Sequence, residues 1–283
     1  MTLGVLFADN YVDARFQAQL SNDFLTHAKG RAHAHVLENE EQYAAFKAQD
    51  WQVPDWKFGY FFDDDDLFLE QIGIGSAINA CFWNIVDNKR VAWGYKQEDV
   101  DCIGSDLMFK VIKDLHEVGR VLNKNFQGRF ANLADYCDNN VVTISNELVR
   151  NLPLSFGQDR HETKYGALVF DKRANLCPDM WYGRMPNKFT NIENLGAIPD
   201  YRVPMALENL GLISFSDALL RRIEEEKLIT KGSLIEHSFR AATVAVCYNI
   251  TQKSDKSIAQ IDAYGWYAGR KISKSPFVFT LNY

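Results

Sequence analysis

The sequence predicts a mainly α fold with a small β element. Several stretches repeat apolar residues at helical spacing, most clearly Asp106–Leu122, Asp217–Leu228 and Ser233–Ile250. Strand signals are few and short. The 283 residues are 47% hydrophobic, enough to bury a sizeable core, and neither a repeat nor a low-complexity linker interrupts them. The chain reads as one compact domain, 1–283, or as two fused lobes of about 1–125 and 126–283.

Taken in order, Phe16–Leu37 and Glu38–Phe46 carry alanine, leucine and charged residues at helical spacing, with Gly30 the one weak breaker. Phe58–Phe62 and Ile72–Trp83 are apolar runs that flank an acidic cluster. Gly73 and Gly75 favour a strand or turn at the start of the second run. Arg90–Tyr95 reads as a short strand. Asp106–Leu122 is amphipathic, with Leu107, Val111, Ile112, Leu115, Val118 and Leu122 on one side. Val141–Leu152 is a second such helix, closed by Pro153. Tyr165–Trp181 begins as a buried apolar run and continues as a helix that Pro178 must perturb. Val203–Asn209 is a short helix stopped by Gly211. Ser216 caps Asp217–Leu228, where Arg221/Glu225 and Arg222/Glu226 stand four apart. Ser233–Ile250 is the last strongly apolar helix.

Composition narrows the function classes. Charged residues are 24% and the net charge is −6, a balance that argues against wrapping duplex nucleic acid or lying on a membrane surface, though not against binding one small phosphate. Met1–Phe7 is apolar but short, lacks a basic flank and is followed closely by Asp9, so it does not read as a signal peptide. No stretch reaches the ~18 apolar residues of a membrane helix. The cysteines (Cys81, Cys102, Cys137, Cys177, Cys247) are odd in number, widely spaced and without a CxxC, as expected of free thiols in a reducing compartment. These features place the protein in the cytoplasm.

Most conspicuous clusters have plain explanations. Asp63–Asp66 lacks the alternating pattern of a calcium loop and reads as a solvated loop or helix start. His27, His33 and His35 read as exposed helical histidines, since positions two apart diverge by ~200° on a helix and cannot chelate together. The common hydrolase, zinc-protease and nucleotide-loop motifs are absent. Two segments are less ordinary. Lys172-Arg173-Ala174 through Asp179-Met180-Trp181 sets basic residues and an acid in an apolar stretch, either as a buried ion pair or as a site. Asp200-Tyr201-Arg202-Val203-Pro204 precedes a helix, where Asp200 is either an N-cap or a functional carboxylate.

Together these segments resemble the queuosine salvage family. Its lysine-arginine-alanine motif is matched by Lys172-Arg173-Ala174, and the acid and tryptophan that follow by Asp179 and Trp181. Its Asp-Tyr-Arg-Val/Leu-Pro signature is matched by Asp200 to Pro204, with Leu207, Leu210-Gly211 and Phe215-Ser216 after it. Gly232-Ser233, Glu236 and Arg240-Ala241 match a further segment. Asn79, Phe82 and Trp83 lie upstream, and Asp262, Tyr264, Trp266 and Pro276-Phe277 downstream. The chain departs from the pattern at Ser76 and Ser238, where the family carries acids, in a lost Tyr-x-Gly-Tyr-Trp-Ser segment, and in a Lys172–Asp179 spacing one residue shorter.

The resemblance implies a helical, DNA-glycosylase-like architecture and a hydrolase that cleaves the N-ribosidic bond of a modified nucleoside 5′-monophosphate. Asp200 would stabilise the cationic sugar, and Lys172 and Arg202 would hold the phosphate. Phe82, Trp83 and Trp181 would stack on the base, with Tyr201, Asp179, Asn79 and Asp262 completing the site. No metal or organic cofactor is implied, nor a duplex or membrane partner. The alternative is a non-catalytic nucleotide-binding or structural homologue, in which Asp200 only caps its helix.

Overall fold

The computed structural model describes residues 11–47, 63–79, 83–86, 89–92, 105–280 and 282. Among them the chain is mainly helical, with small two-stranded pairings. Helix α1 (Ala14–His27) is followed by β1 (Ala34–Val36), α2 (Glu40–Lys47) and α3 (Asp65–Ala77). The β2 (Trp83–Val86) and β3 (Lys89–Ala92) hairpin comes next, then α4 (Ser105–Asn125), α5 (Phe130–Tyr136) and α6 (Val141–Asn151). A second hairpin, β4 (Arg160–Thr163) and β5 (Gly166–Val169), leads into α7 (Lys172–Arg184). The chain ends with α8 (Val203–Asn209), β6 (Ile213–Phe215), α9 (Asp217–Glu224), β7 (Leu228–Ile229), α10 (Leu234–Lys253), α11 (Ile258–Arg270) and β8 (Phe277–Val278).

Several ends sit where local chemistry sets them. Asn140 and Ser233 cap α6 and α10 through their side chains. Within the acidic run, Asp64 caps α3 by accepting from the Asp66 and Leu67 amides. Gly211 follows α8 at φ +68°, the left-handed conformation expected of a helix stop. Pro178 sits inside α7 without ending it.

Other expectations are corrected. The helix expected over Phe16–Leu37 ends at His27, and Ala34–Val36 forms a strand antiparallel to Ile213–Phe215. His33 and His35 therefore flank or lie on a strand, and the His33 Nδ1 meets the Ser216 hydroxyl at 2.9 Å. Ile72 to Ala77 continues a helix instead of opening a strand or turn. Gly73 is small there because an added Cβ would fall 2.4 Å from the Phe130 ring. The helix expected over Asp217–Leu228 stops at Glu224, since Glu226 turns at φ +49° and Leu228 pairs with Phe277. The Arg221/Glu225 and Arg222/Glu226 spacing therefore runs off its end. Phe58–Phe62, Tyr95, Cys81 and Cys102 lie outside the described residues, and Cys137, Cys177 and Cys247 are buried free thiols. Among the described residues no helix is long and apolar enough to cross a membrane.

Two apolar cores are built from these elements. One gathers α1, α8, α10 and α11 around Phe24, Leu207, Phe239 and Ile261, and the other gathers α3 to α7 around Phe68, Phe130, Leu148 and Trp181. Two segments cross between them. Phe170 packs in the first core and Ala174 in the second, while Leu195 packs in the second and Ala197 in the first. Lys172 lies on one crossing, and Asp200 just past the other.

Candidate active site

Lys172 is the first residue of α7 and is buried. Before it, Asp171 adopts a left-handed conformation (φ +46°), which an aspartate tolerates better than most residues. Arg160 grips the Asp171 carboxylate with Nε and Nη2 at 3.0 and 2.6 Å. The Lys172 ammonium donates to the Asn79 Oδ1 at 3.2 Å. Its neighbour Arg173, also buried, donates to the carbonyls of Ala77 and Asn79 at 2.7 and 3.4 Å. Arg173 thus holds the backbone that presents Asn79 to Lys172. Burial lowers the Lys172 pKa, opposed by the carboxyls of Asp200 and Asp262.

Asp200 immediately precedes the start of α8 and is 7% exposed. Its Oδ1 accepts from the Arg202 and Val203 amides at 2.6 and 2.9 Å, so it does act as a cap. Its Oδ2 takes no hydrogen bond from the described residues. Burial raises the Asp200 pKa, while Lys172 and the two amides pull the other way.

Asp262 reaches the same place on α11, which approaches α8 closely. A Cβ on Gly265 would lie 2.8 Å from the Val203 Cγ1, and one on Gly269 only 2.3 Å from the Arg202 carbonyl oxygen. Burial, then Asp200 and Asp179, push Asp262 well above the usual carboxylate range. Asp179, on α7, has a buried Oδ1 without a partner, and burial pushes its carboxyl up to about 8.

Asn79, Lys172, Asp200 and Asp262 are thus brought together, with Asp179 beside Asp262: one ammonium, two buried carboxyls and the half-buried one of Asp262. Burial pushes both Asp179 and Asp200 toward the neutral form, unopposed at Asp179, while at Asp200 a cation and two amides favour the charge. Such divergent environments are what divide acid from base roles among like groups.

Arg202, Tyr201 and Trp181 make other contacts. Arg202 is half-buried, and its guanidinium donates to the Ile272 carbonyl at 3.2 Å and lies 5.2 Å from the Tyr201 ring centre. Tyr201 packs against the first core. Trp181 is fully buried between Phe130 and Phe189, with centroids 6.3 and 6.0 Å away, as a core residue of the second cluster. Trp83 lies in β2 opposite Ala92, and Phe82 falls outside the described residues. At the two departures, the Cys177 thiol bonds Ser76, and the Ser238 hydroxyl donates to the Leu234 carbonyl of its own helix at 2.6 Å. A cleft of about 600 Å³ opens elsewhere, between Tyr182, Pro186, Glu193, Lys256 and Gln260, and none of Asn79, Lys172, Asp179, Asp200 and Asp262 lines it. Among the described residues no cluster of three metal-ligating side chains occurs.

Sequence reasoning missed the buried groups around this centre. Arg240, fully buried, makes a paired bond to Asp159 at 2.7 and 2.6 Å. Burial alone would raise the Asp159 pKa, but Arg240 and His161 outweigh it and hold the carboxyl far below its ordinary value. Gln17 on α1 bonds the Phe170 carbonyl and the Ala197 amide, both at 2.7 Å. Only the Arg240-Ala241 pair hinted at this network in the sequence.

Comparison with known proteins adds a separate finding. The family model described as Queuosine salvage protein matches residues 105–275, more than half of the chain. A Dictyostelium discoideum protein named queuosine 5′-phosphate N-glycosylase/hydrolase is 30% identical over 209 residues, 64% of this chain and 64% of its own length. A Bos taurus protein of that name is 24% identical over 208 residues, 65% of this chain and 60% of its own. One from Sphaerobacter thermophilus is 31% identical over 134 residues, 46% of this chain and 41% of its own. The chain therefore spans less than two thirds of the length of these relatives.

Proposed function

The chain belongs to the queuosine salvage family, and from that premise we propose that it hydrolyses the N-ribosidic bond of queuosine 5′-monophosphate, or of a related modified nucleotide, releasing the free base for salvage. The observation that carries this reading is the meeting of the Lys172 ammonium with the carboxyls of Asp200 and Asp262, beside which Asp179 adds a third acid. Breaking the bond between the base nitrogen and C1′ builds positive charge on the sugar. The Asp200 carboxylate, beneath C1′, stabilises that charge and takes a proton from the attacking water as the water oxygen bonds to C1′. The electron pair of the broken bond leaves on the base. A 7-deazaguanine has no N7 to protonate, so the departing base needs hydrogen bonds elsewhere, and a protonated Asp179 suits that role.

Lys172 holds the 5′-phosphate, because its ammonium donates one hydrogen bond to Asn79 and has further N–H groups to offer an anion. Arg202 stands two residues after Asp200 and assists once its bond to Ile272 gives way. The helical frame is read as DNA-glycosylase-like, with the two crossings supplying a base pocket, and the protein as cytoplasmic. No duplex or membrane partner enters this reading.

The cap bonds to Oδ1 favour a second reading, a non-catalytic nucleotide-binding homologue. Incubation with a panel of modified nucleosides and their 5′-monophosphates, with free base detected by mass, separates the two. Base release from a monophosphate faster than from its nucleoside supports the hydrolase. Binding without release leaves the homologue.

A further inference from the structure

We infer that Arg240, Asp159 and Gln17 are positioning residues that hold Asp200 at a set distance from Lys172. The inference rests on the hydrolase reading above and deepens it. Lys172 and Asp200 come from two separate crossings, and no direct bond between their side chains fixes one against the other. The bridges that do so are buried. The Asp159 Oδ2 accepts the Lys172 backbone amide at 3.2 Å, at the start of α7. The same carboxylate is gripped by Arg240, whose Nε donates to the Pro199 carbonyl at 3.0 Å, one residue before Asp200. The Arg240 guanidinium also lies 4.1 Å from the Phe170 ring centre, which fixes its plane.

Gln17 supplies a second, uncharged bridge. It ties the Phe170 carbonyl, two residues before Lys172, to both polar groups of Ala197, three residues before Asp200, the second at 3.3 Å. Gly196 keeps that approach open, since a Cβ there would lie 3.0 Å from the Gln17 Oε1. Two braces therefore join the same two segments close to the site. A planar guanidinium making two parallel bonds to a carboxylate and a third bond to a carbonyl fixes orientation as well as distance, which a lysine cannot reproduce. Misplacing a reacting group by ~1 Å can cost ~10²-fold in rate.

The test compares Arg240→Lys and Gln17→Met with Leu219→Ala, a cavity variant in α9 outside both braces. Turnover is measured well below each melting temperature. The expected result is a kcat lowered at least ~10-fold in both brace variants, with KM changed less than ~3-fold and Leu219→Ala unaffected despite its lower melting temperature. Gln17→Met removes no charge and decides the matter should Arg240→Lys fail to fold. A second readout needs no substrate. In ¹⁵N-lysine-labelled protein, Asp200→Asn should lower the Lys172 titration midpoint, and by less than half as much when Gln17→Met is also present. An inactive wild type would sink the hydrolase reading while leaving this NMR comparison to judge the braces. Unchanged kcat in both brace variants, or an undiminished Asp200→Asn shift, would overturn the positioning role.

Discussion

Asp200→Asn separates the two roles that one aspartate can play. In the structure the Oδ1 receives the Arg202 and Val203 amides at 2.6 and 2.9 Å, and an asparagine oxygen can receive both. Asparagine caps helices about as well as aspartate, so the cap should change by no more than ~0.5 kcal/mol. The other effects on stability oppose each other. Removing the charge relieves its burial but deprives Lys172 of one of two carboxyl neighbours. Catalysis has no such compensation. A neutral amide cannot stabilise the developing sugar cation, and the loss of one electrostatic stabiliser in a closed site costs ~10²–10³-fold in kcat, about 2.7–4 kcal/mol. Substrate affinity should move little, because the ground-state sugar is neutral and the phosphate is held elsewhere. Melting temperature, nucleotide affinity and base release are measured on one preparation. Turnover within ~3-fold of wild type, with the fold intact, would refute the reasoning and leave Asp200 as a cap.

Three further outcomes follow from the geometry. Asp179 ionises near 4 when unfolded but at about 8 when folded, so unfolding releases a proton in that window; wild type should lose stability relative to Asp179→Asn as pH rises from ~4 to ~8, by at most ~1.4 kcal/mol per pH unit. Urea unfolding at pH 5 and 7.5 checks this, and a gap independent of pH contradicts it. Gly269→Ala would ordinarily stabilise a helix by ~1 kcal/mol, but the Cβ would sit 2.3 Å from the Arg202 carbonyl oxygen, so thermal melts should show a loss of ~1–3 kcal/mol, whereas Gly119→Ala, with nothing within 4 Å, should show a small gain. Lys172→Met should raise KM for the 5′-monophosphate by ~10²-fold and leave the nucleoside nearly unchanged; equal effects on both in steady-state assays would mean that Lys172 serves the fold.

Elements with local signals were legible in the sequence. Val141–Asn151 carries its cap and closing proline, and Val203–Asn209 its Gly211 stop, within a few residues of each end. The failures share a physical origin. Ala34 leaves the helix because Phe215 offers it a strand partner, and Leu228 because Phe277 does. Gly73 looked like a turn residue because the ring that needs its missing side chain belongs to Phe130. Each outcome depends on a neighbour that a local window does not contain.

The same limit applies to the site. The motif residues Lys172, Asp179, Asp200 and Asp262 stood out through the family pattern, but Asp159 and Arg240, 81 residues apart, carry no local mark of being buried together. An arginine on an amphipathic helix reads the same whether it faces water or a buried carboxylate. Asp200 shows why local evidence could not choose between cap and catalyst: both roles ask for an aspartate before a helix. For the proposed reaction they are compatible. The two amides that make Asp200 a cap also favour its ionised form against burial. They engage only Oδ1, fixing the carboxylate's orientation and leaving Oδ2 for the sugar and water. The helix start, with its positive end of the backbone dipole, thus supports a charge that the buried site would otherwise suppress.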